Sequence, residues 1–357
     1  MPPKVLVTGG AGYIGSHVVK QLGQAGYDVV VYDNLSTGVD HAVLYGELVM
    51  GDLADTAKLS QVFAKHRFQA VLHFAASIVV SESVRSPLDY YSNNTVNLLN
   101  VLRCCEKYQV NQLIFSSTAA VYGEPKENPV SELADTNPIT PYGASKLMSE
   151  RIIRDYAKAS DLRYVILRYF NVAGADLDGQ LGQWTPQATH LIRAACDAAL
   201  GRSPAMQIFG ADFATPDGTG VRDFIHVVDL AIAHLDSLKY LAAGGTSEVL
   251  NCGYGKGYSV RQVIDCLKQV SGKTFTVEEA DRRMGDPACV IAKADRIREV
   301  LGWQPRCADL ALMIKTSLAW EVQLNKLEKD TLEKVKGKPR DEEWYLPLKH
   351  SGVQKTV

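Results

Sequence analysis

Three side chains in the first half of the chain have types and spacing suited to moving a proton. Tyr142 and Lys146 are four residues apart, so in a helix they would share one face. A nearby cation stabilises a phenolate and would lower the pKa of Tyr142 from its ordinary value of about 10. Thr118 ends an apolar run and could hydrogen-bond a substrate oxygen and relay its proton. Together they predict acid–base chemistry on an alcohol, although a chance YxxxK spacing and a turn-capping hydroxyl remain the simpler alternatives.

A second set of residues, near the N-terminus, is suited to binding a dinucleotide. The segment 8–15 carries glycines in the GxGxxG and GxxGxxG spacings: Gly9, Gly10, Gly12 and Gly15. Glycine permits the tight turn and lets the backbone approach a pyrophosphate, and the helix that follows presents free N–H groups there. The glycine pattern alone also suits an ordinary junction between a strand and a helix.

An acidic residue, Asp33, supports the dinucleotide interpretation. It ends the second apolar run, and the dinucleotide-binding pattern places an acid about 20 residues after its glycines. A carboxylate there accepts hydrogen bonds from ribose hydroxyls and repels a 2′-phosphate, which predicts NAD rather than NADP. The alternative is a turn-forming aspartate before Asn34. Asp52 and Leu53 follow a third, shorter strand expected just before residue 51, and they could contact the adenine or form a turn.

The elements that must position these residues alternate along the first 170 residues. Continuous apolar runs, typical of strands buried on both faces, cover 5–7, 29–32, 70–74, 113–116 and 164–169. Amphipathic helical stretches cover about 13–25, 55–66, 87–108 and 142–159. The alternation predicts an α/β fold with a doubly wound parallel Rossmann sheet.

The pattern becomes irregular after residue 170. We expect a dinucleotide-binding domain over 1–170, and a second, smaller α/β domain interleaved with it over 171–323. The regular stretch 223–240 is expected to return to the first domain. From about 324 the chain is rich in Lys and Glu, which indicates a solvated helix and a frayed tail over 324–357.

Composition excludes several classes of function. A net charge of −2 argues against a nucleic-acid partner, and no apolar run approaches the roughly 20 residues that span a membrane. The seven cysteines form no CxxC pair, so neither a disulfide framework nor a metal site is expected. Reduced thiols and an N-terminus without a secretory signal predict a cytoplasmic protein.

Many segments, in order, resemble the UDP-glucose 4-epimerases (UDP-galactose 4-epimerases) of the extended short-chain dehydrogenase/reductase family. The similarity covers roughly residues 4–322 and rests on the segments TGGAGYIG, YDNLS, FAAS, YYSNN, SSTAAVYG, PYGASK, LRYFNVAGA, THLI, DGTGVRDFIHV, LNCGYG and RRMGDPA. The resemblance implies reversible 4-epimerisation of UDP-glucose and UDP-galactose through a 4-keto sugar and bound NADH. It also implies a homodimer joined by a four-helix bundle, built from the helices over 90–107 and 142–159.

The resemblance also implies roles for individual residues. Those expected to contact NAD, besides the glycines, are Tyr13, Ile14, Asp33, Asn34, Asp52, Leu53, Phe74, Ala75, Ala76, Asn93, Lys146 and Phe170. Those expected to contact the UDP-sugar, besides Thr118 and Tyr142, are Asn171, His190, Leu191, Phe209, Arg222, Arg283, Asp286 and Val290. The two arginines offer forked donors that suit a diphosphate.

Some positions depart from the family pattern or leave alternatives open. Ile78 stands where some members have a lysine, and Trp184 begins a stretch that is more acidic in others. Ala119 and Ala120 stand where 4,6-dehydratases carry Asp-Glu, which argues against dehydration. UDP-N-acetylhexosamine, a UDP-pentose and, with less support, a non-catalytic dinucleotide sensor remain as alternatives. The pathway, galactose use or exopolysaccharide synthesis, is also open.

Overall fold

The computed structural model describes residues 2–184, 190–283 and 285–336, with side chains as far as 326. The chain divides into two compact units, Met1–Glu321 and Val322–Val357. The predicted tail therefore lies mostly outside the described residues, as do positions 185–187 of the stretch that Trp184 begins. Within the described part of the chain, no helix combines the length and apolar character needed to cross a membrane.

The strands and helices follow one another in the order of an α/β protein. The strands are β1 Lys4–Thr8, β2 Asp28–Asp33, β3 Glu47–Met50, β4 Ala70–His73, β5 Gln112–Thr118, β6 Arg163–Tyr169, β7 Asn171–Ala173, β8 Met206–Phe209, β9 Val221–His226, β10 Glu248–Cys252, β11 Gly257–Ser259, β12 Val277–Ala280 and β13 Cys289–Val290. The helices are α1 Tyr13–Gln24, α2 Thr56–His66, α3 Val80–Arg85, α4 Pro87–Tyr91, α5 Asn97–Tyr108, α6 Pro141–Lys158, α7 Leu191–Ala199, α8 Val227–Ala242, α9 Val260–Ser271, α10 Asp295–Leu301 and α11 Leu310–Lys336.

Seven of these strands form one parallel sheet. Their spatial order is β10-β6-β5-β4-β1-β2-β3, and every pairing in it is parallel. The order reverses direction beside β1, which is the point where doubly wound sheets bind ligands. The predicted fold class is confirmed, together with the five predicted strands of this sheet.

Two hydrophobic cores cover the two faces of the sheet. On one face α1 and α8 contribute Val18, Leu22 and Leu230 to a cluster with the strands. On the other face α2, α5 and α6 supply apolar side chains that include Phe63 and Ile153. Because both faces are covered, the strands are almost wholly apolar, as the sequence predicted.

The rest of the first unit is built from small sheets and helices. Strands β7, β9, β11 and β13 form a four-stranded mixed sheet, and β8 pairs with β12. A third core, formed by α7, α9 and the first turns of α11, includes Ile192, Ile264 and Met313. Within the stretch 223–240, β9 belongs to the four-stranded sheet, whereas α8 packs on the large one.

The predicted helix over 87–108 differs from the observed structure. A π-helical turn, Ser92–Val96, separates α4 from α5. In this turn Asn94 is 1% exposed and donates to the Ser77 carbonyl and to Ser145 Oγ, both at 3.0 Å. A π turn inserts one extra residue into a helix, and such turns are frequent at functional sites. The preceding residue, Asn93, donates to Ser77 Oγ at 2.9 Å, so both asparagines of the turn contact Ser77 in the loop after β4.

Candidate functional site

One cavity of about 960 Å³ opens at the carboxyl ends of the parallel strands. Every predicted site residue except Gly10 and Lys146 lines it. They are Gly9, Gly12, Tyr13, Ile14, Gly15, Asp33, Asn34, Asp52, Leu53, Phe74, Ala75, Ala76, Asn93, Thr118, Tyr142, Phe170, Asn171, His190, Leu191, Phe209, Arg222, Arg283, Asp286 and Val290. The structure thus gathers residues that are up to 281 positions apart, from Gly9 to Val290, around one space.

Two positions of the glycine loop leave no room for a side chain. Gly9 has φ +71°, and a Cβ placed on it would lie 2.5 Å from the Ala75 nitrogen. A Cβ on Gly15 would collide with the Gly9 carbonyl oxygen. Gly12 precedes α1 without any capping side chain, so the free N–H groups of the first turn are left for a ligand. This cradle fits a pyrophosphate and the dinucleotide that carries it.

The carboxylate of Asp33 is fixed beside this loop. One oxygen accepts from the Ala11 N–H at 2.9 Å and the other from the Leu35 N–H at 2.8 Å. Next to it, Asn34 donates to Asp52 at 2.8 Å. Each carboxylate oxygen has further lone pairs, so Asp33 can still accept from ribose hydroxyls. The position of Asp33 agrees with both interpretations of the sequence. It stabilises the turn by accepting from Leu35, and it lines the cavity where a ribose could bind.

Tyr142 lies in the first turn of α6, whose N-terminus is capped by Thr140. Its phenol is 7% exposed and faces the cavity. Burial raises the pKa of Tyr142, and the neighbouring Thr118 hydroxyl, which stabilises the phenolate, opposes part of this shift. Thr118 Oγ1 accepts from the Ala120 N–H at 3.1 Å, which leaves its own proton free to donate. The two hydroxyls can therefore act on the same atom of a ligand.

Lys146 lies one helical turn further along α6. It is only 2% exposed and lies behind the cavity wall. Its ammonium donates to the Ser116 carbonyl at 2.9 Å and lies 5.0 Å from the centre of the Phe115 ring. Burial lowers the pKa of Lys146 to about 7, and the charge of Glu150 works against this shift. The expected contact of Lys146 with the cofactor stays a prediction, because its side chain does not line the cavity.

The opposite end of the cavity is rich in cationic and aromatic groups. Arg222 pairs with Asp286 at 3.0 Å, and the Arg283 guanidinium lies 3.7 Å from the centre of the Phe209 ring. Val290 is 6% exposed and pairs with Arg222 in the register of β13 and β9. Two guanidinium groups that line the same cavity are suited to a diphosphate.

Several cavity residues were missed by the sequence reasoning. Ser36 and Thr37 lie beside the glycine loop, whereas Asp197 and Gln207 lie with the residues of the opposite end. They come from a loop, a helix and a short strand, where no motif spacing marks them. Ile78, noted only as a departure, also lines the cavity and is 47% exposed. In the described residues, no three His, Cys, Asp or Glu side chains cluster as metal ligands would.

The chain is similar to a known protein family and to individual known proteins. The model of the NAD dependent epimerase/dehydratase family matches residues 5–253. A UDP-glucose 4-epimerase of Azospirillum brasilense is 54% identical over 323 residues, which are 90% of this chain and 93% of that protein.

Two solved structures extend the comparison. The UDP-glucose 4-epimerase of Bifidobacterium longum, in complex with NAD⁺ and UDP, is 38% identical with a TM-score of 0.86, over 90% of this chain and 98% of that one. The UDP-Glc/GlcNAc 4-epimerase of Campylobacter jejuni is 48% identical with a TM-score of 0.80, over 90% of this chain and 99% of that one. The chain therefore belongs to the NAD dependent epimerase/dehydratase family and, within it, to the UDP-glucose 4-epimerases.

Proposed function

We propose that this protein catalyses the reversible 4-epimerisation of UDP-glucose and UDP-galactose with NAD as its cofactor. The observation that carries the proposal is a single cavity lined by the glycine loop, by the Tyr142 and Thr118 side chains and by Arg222 and Arg283. A dinucleotide and a diphosphate-linked sugar would meet there with the phenol between them. The Bifidobacterium longum relative, solved with NAD⁺ and UDP, supports the same pair of ligands.

The cofactor would be held by the residues that line the glycine-loop end. The N–H groups at the start of α1 would bind the pyrophosphate, and Asp33 would accept from the adenosine ribose. Asn93 donates to Ser77 at 2.9 Å and would help the loop after β4 to cover the nicotinamide side. When bound, NAD supplies a reversible hydride acceptor for C4 of the sugar.

The chain's own residues would move the proton. Tyr142 would take the proton of the 4-hydroxyl and later return it, and Thr118 would hold the same oxygen by donating its hydrogen bond. Lys146 would stabilise the phenolate from behind. Near this phenol the cavity wall is formed by Ala119, Ala120 and Ile139, which offer the hexose few hydrogen bonds. A loosely held sugar, anchored through its diphosphate, could present either face of C4.

The test is direct conversion of substrate. Purified protein supplied with UDP-galactose or with UDP-glucose should produce the same equilibrium mixture from either side, without added oxidant or reductant. Ultraviolet absorbance of reduced nicotinamide should appear after UDP-sugar is added. A protein that holds NAD but converts neither sugar would be a dinucleotide sensor, and the proposal would fail.

A homodimer is the proposed assembly. The π turn and α6 expose apolar side chains that include Val96 at 51% and Met148 at 49%, while Leu88 of α4 is 77% exposed. Exposed apolar residues on adjacent helices indicate a protein–protein surface. In a dimer, these helices of the two copies would form a four-helix bundle. One of them, α6, also carries Tyr142.

The dimer proposal makes a prediction about mass. The double variant Val96→Asp/Met148→Asp places two charges in the proposed interface and should sediment as a monomer at a concentration where the parent is a dimer. The matched control is Leu133→Asp, since Leu133 is 97% exposed in a loop outside these helices. Dimers in the double variant, or a monomeric parent, would contradict the proposed interface.

The sugar end of the cavity also bears on substrate choice. Val290 would line the hexose pocket, and its small side chain leaves space where a bulkier residue would exclude a 2-acetamido group. An open pocket loses only a little binding energy to the smaller substrate, whereas a filled one rejects the larger. We therefore propose that UDP-N-acetylglucosamine is also a substrate, as the name of the Campylobacter jejuni relative indicates for that protein.

Val290→Tyr should remove the activity on UDP-N-acetylglucosamine and largely spare that on UDP-glucose. The measurement is kcat/KM for both substrates in the parent and the variant. Val290→Ala, which only enlarges the pocket, should retain both activities. Equal losses of both activities in Val290→Tyr, or a parent inactive on the acetamido sugar, would show that this position does not set substrate size.

Two further proposals concern organisation and location. Residues 1–170 would form the NAD-binding domain and 171–323 the UDP-sugar-binding domain, with α8 returning to the first because it packs on α1.

The seven cysteines are free thiols, which suits a reducing compartment and supports a cytoplasmic location.

A further inference from the structure

Helix α1 carries a buried lysine that does not face the cavity. Lys20 is 3% exposed and lies two turns beyond Tyr13. Its ammonium donates to both carboxylate oxygens of Asp176 at 2.8 Å, and to Asp178 at 3.2 Å. Asp176 is 7% exposed, whereas the Asp178 side chain is 73% exposed. Two charges buried together are stable only while their contact is intact, because separating them leaves each unpaired in the interior.

Asp176 organises what we call the 174–184 segment, from Gly174 to Trp184. Its carboxylate accepts from the Gln180 N–H at 3.1 Å, and its own N–H donates to the Leu181 carbonyl at 2.9 Å. The segment begins just after Asn171. Near its end the Gln183 amide lies 3.1 Å from the His190 ring. It is therefore attached to the proposed UDP-sugar site at both ends.

The same segment contacts the glycine-loop end of the cavity. The Tyr13 hydroxyl, in the first turn of α1, donates to the Gly174 carbonyl at 2.5 Å. The Trp184 ring lies 4.2 Å from the ring of His41, in the loop that follows Asp33. Widening the cavity between Tyr13 and the segment would require α1 and the segment to move apart. That movement separates the buried Lys20–Asp176 pair.

We propose that the Lys20–Asp176 ion pair couples UDP-sugar binding to the retention of NAD. A ligand bound at Asn171 and His190 holds the 174–184 segment, and the ion pair transmits that restraint to α1, whose N-terminus faces the cofactor. Coupling between two sites is reciprocal, so bound NAD also strengthens UDP binding through the pair. The inference rests on the proposed function, because it takes NAD and a UDP-sugar as the two ligands.

The experiment measures how fast the holoenzyme exchanges bound NAD for isotopically labelled NAD, with and without saturating UDP. In the parent, UDP should slow exchange by about tenfold, within the range of roughly five- to 150-fold typical of coupled sites. The variant Lys20→Met/Asp176→Leu replaces the pair with apolar side chains, a change that often preserves folding. In it, exchange should be faster, and UDP should slow it by less than about twofold, because the coupling is lost.

Controls separate coupling from loss of stability. Asp178→Asn alters only the exposed partner and should keep the full effect of UDP. Lys20→Gln/Asp176→Asn replaces both charges with neutral hydrogen-bonding groups and should give an intermediate effect, which tests the coupling if the apolar double variant does not fold. A variant that is merely less stable would exchange faster yet still respond to UDP. An undiminished UDP effect in the Lys20 variants, or none in the parent, overturns the inference; a parent that does not bind UDP overturns the proposed function instead.

Discussion

Replacing Tyr142 with phenylalanine is expected to lower kcat by at least about a hundredfold, the usual scale for losing a general acid–base group. The ring would still fill its place in the cavity wall, so NAD and UDP should bind as in the parent. Only the exchange of the 4-hydroxyl proton is lost. The measurement is the rate of UDP-galactose conversion, together with titration of UDP and the NAD content of the purified variant.

A second tyrosine supplies the control for this variant. Tyr90 is 2% exposed, and its ring packs edge-on to Tyr142 at 6.5 Å without lining the cavity. Its hydroxyl donates to the Val79 carbonyl at 2.7 Å. Tyr90→Phe should therefore cost stability of about 1 kcal/mol and leave kcat near that of the parent. Near-normal turnover in Tyr142→Phe would show that another group is the base.

Lys146→Met is expected to reduce kcat at neutral pH by about 10²- to 10³-fold, the loss that follows removal of one group stabilising an oxyanion. Burial raises the pKa of Tyr142, and in the variant only the Thr118 hydroxyl would oppose that shift. The rise of kcat with pH, which reports deprotonation of Tyr142, should therefore move to higher pH. A pH–rate profile of the parent and the variant measures both effects.

The direction of this pH shift distinguishes two roles for Lys146. If its charge stabilises the phenolate, the variant recovers part of its activity in alkali, where Tyr142 ionises unaided. If Lys146 only positions the helix by donating to Ser116, the loss is the same at every pH. Lys146→Arg keeps the charge with a different shape, and at neutral pH it should lose less activity than Lys146→Met.

Much of the fold was predictable because its signals are local. Apolar runs such as 29–32 and 164–169 predicted buried parallel strands, and glycine spacing located the turn between β1 and α1. The predicted site residues follow from the same source, since the carboxyl ends of parallel strands meet at one edge. Residues that are distant in the sequence thus become neighbours at this edge of the sheet, and the sequence motifs identify which residues these are.

Other features depend on distant partners and carry no local signal. The seventh strand, β10, joins the edge of the sheet beside β6 after a long excursion of the chain. Lys20 reads as an ordinary surface lysine until the fold brings Asp176 to it, 156 positions away. Asn94 likewise looks like a polar residue in an amphipathic helix. Only the packed structure reveals that its side chain joins Ser77 to Ser145.

The π turn at Ser92–Val96 constrains how this protein could change over time. Deleting one of its five residues would restore a continuous α-helix, but it would rotate everything on one side by about 100° about the helix axis. Asn93 would then leave the cavity, or the exposed Leu88 would turn away from its present direction. A length change of one residue here therefore alters the ligand cavity or the outer apolar face, whereas substitutions can modify either one separately.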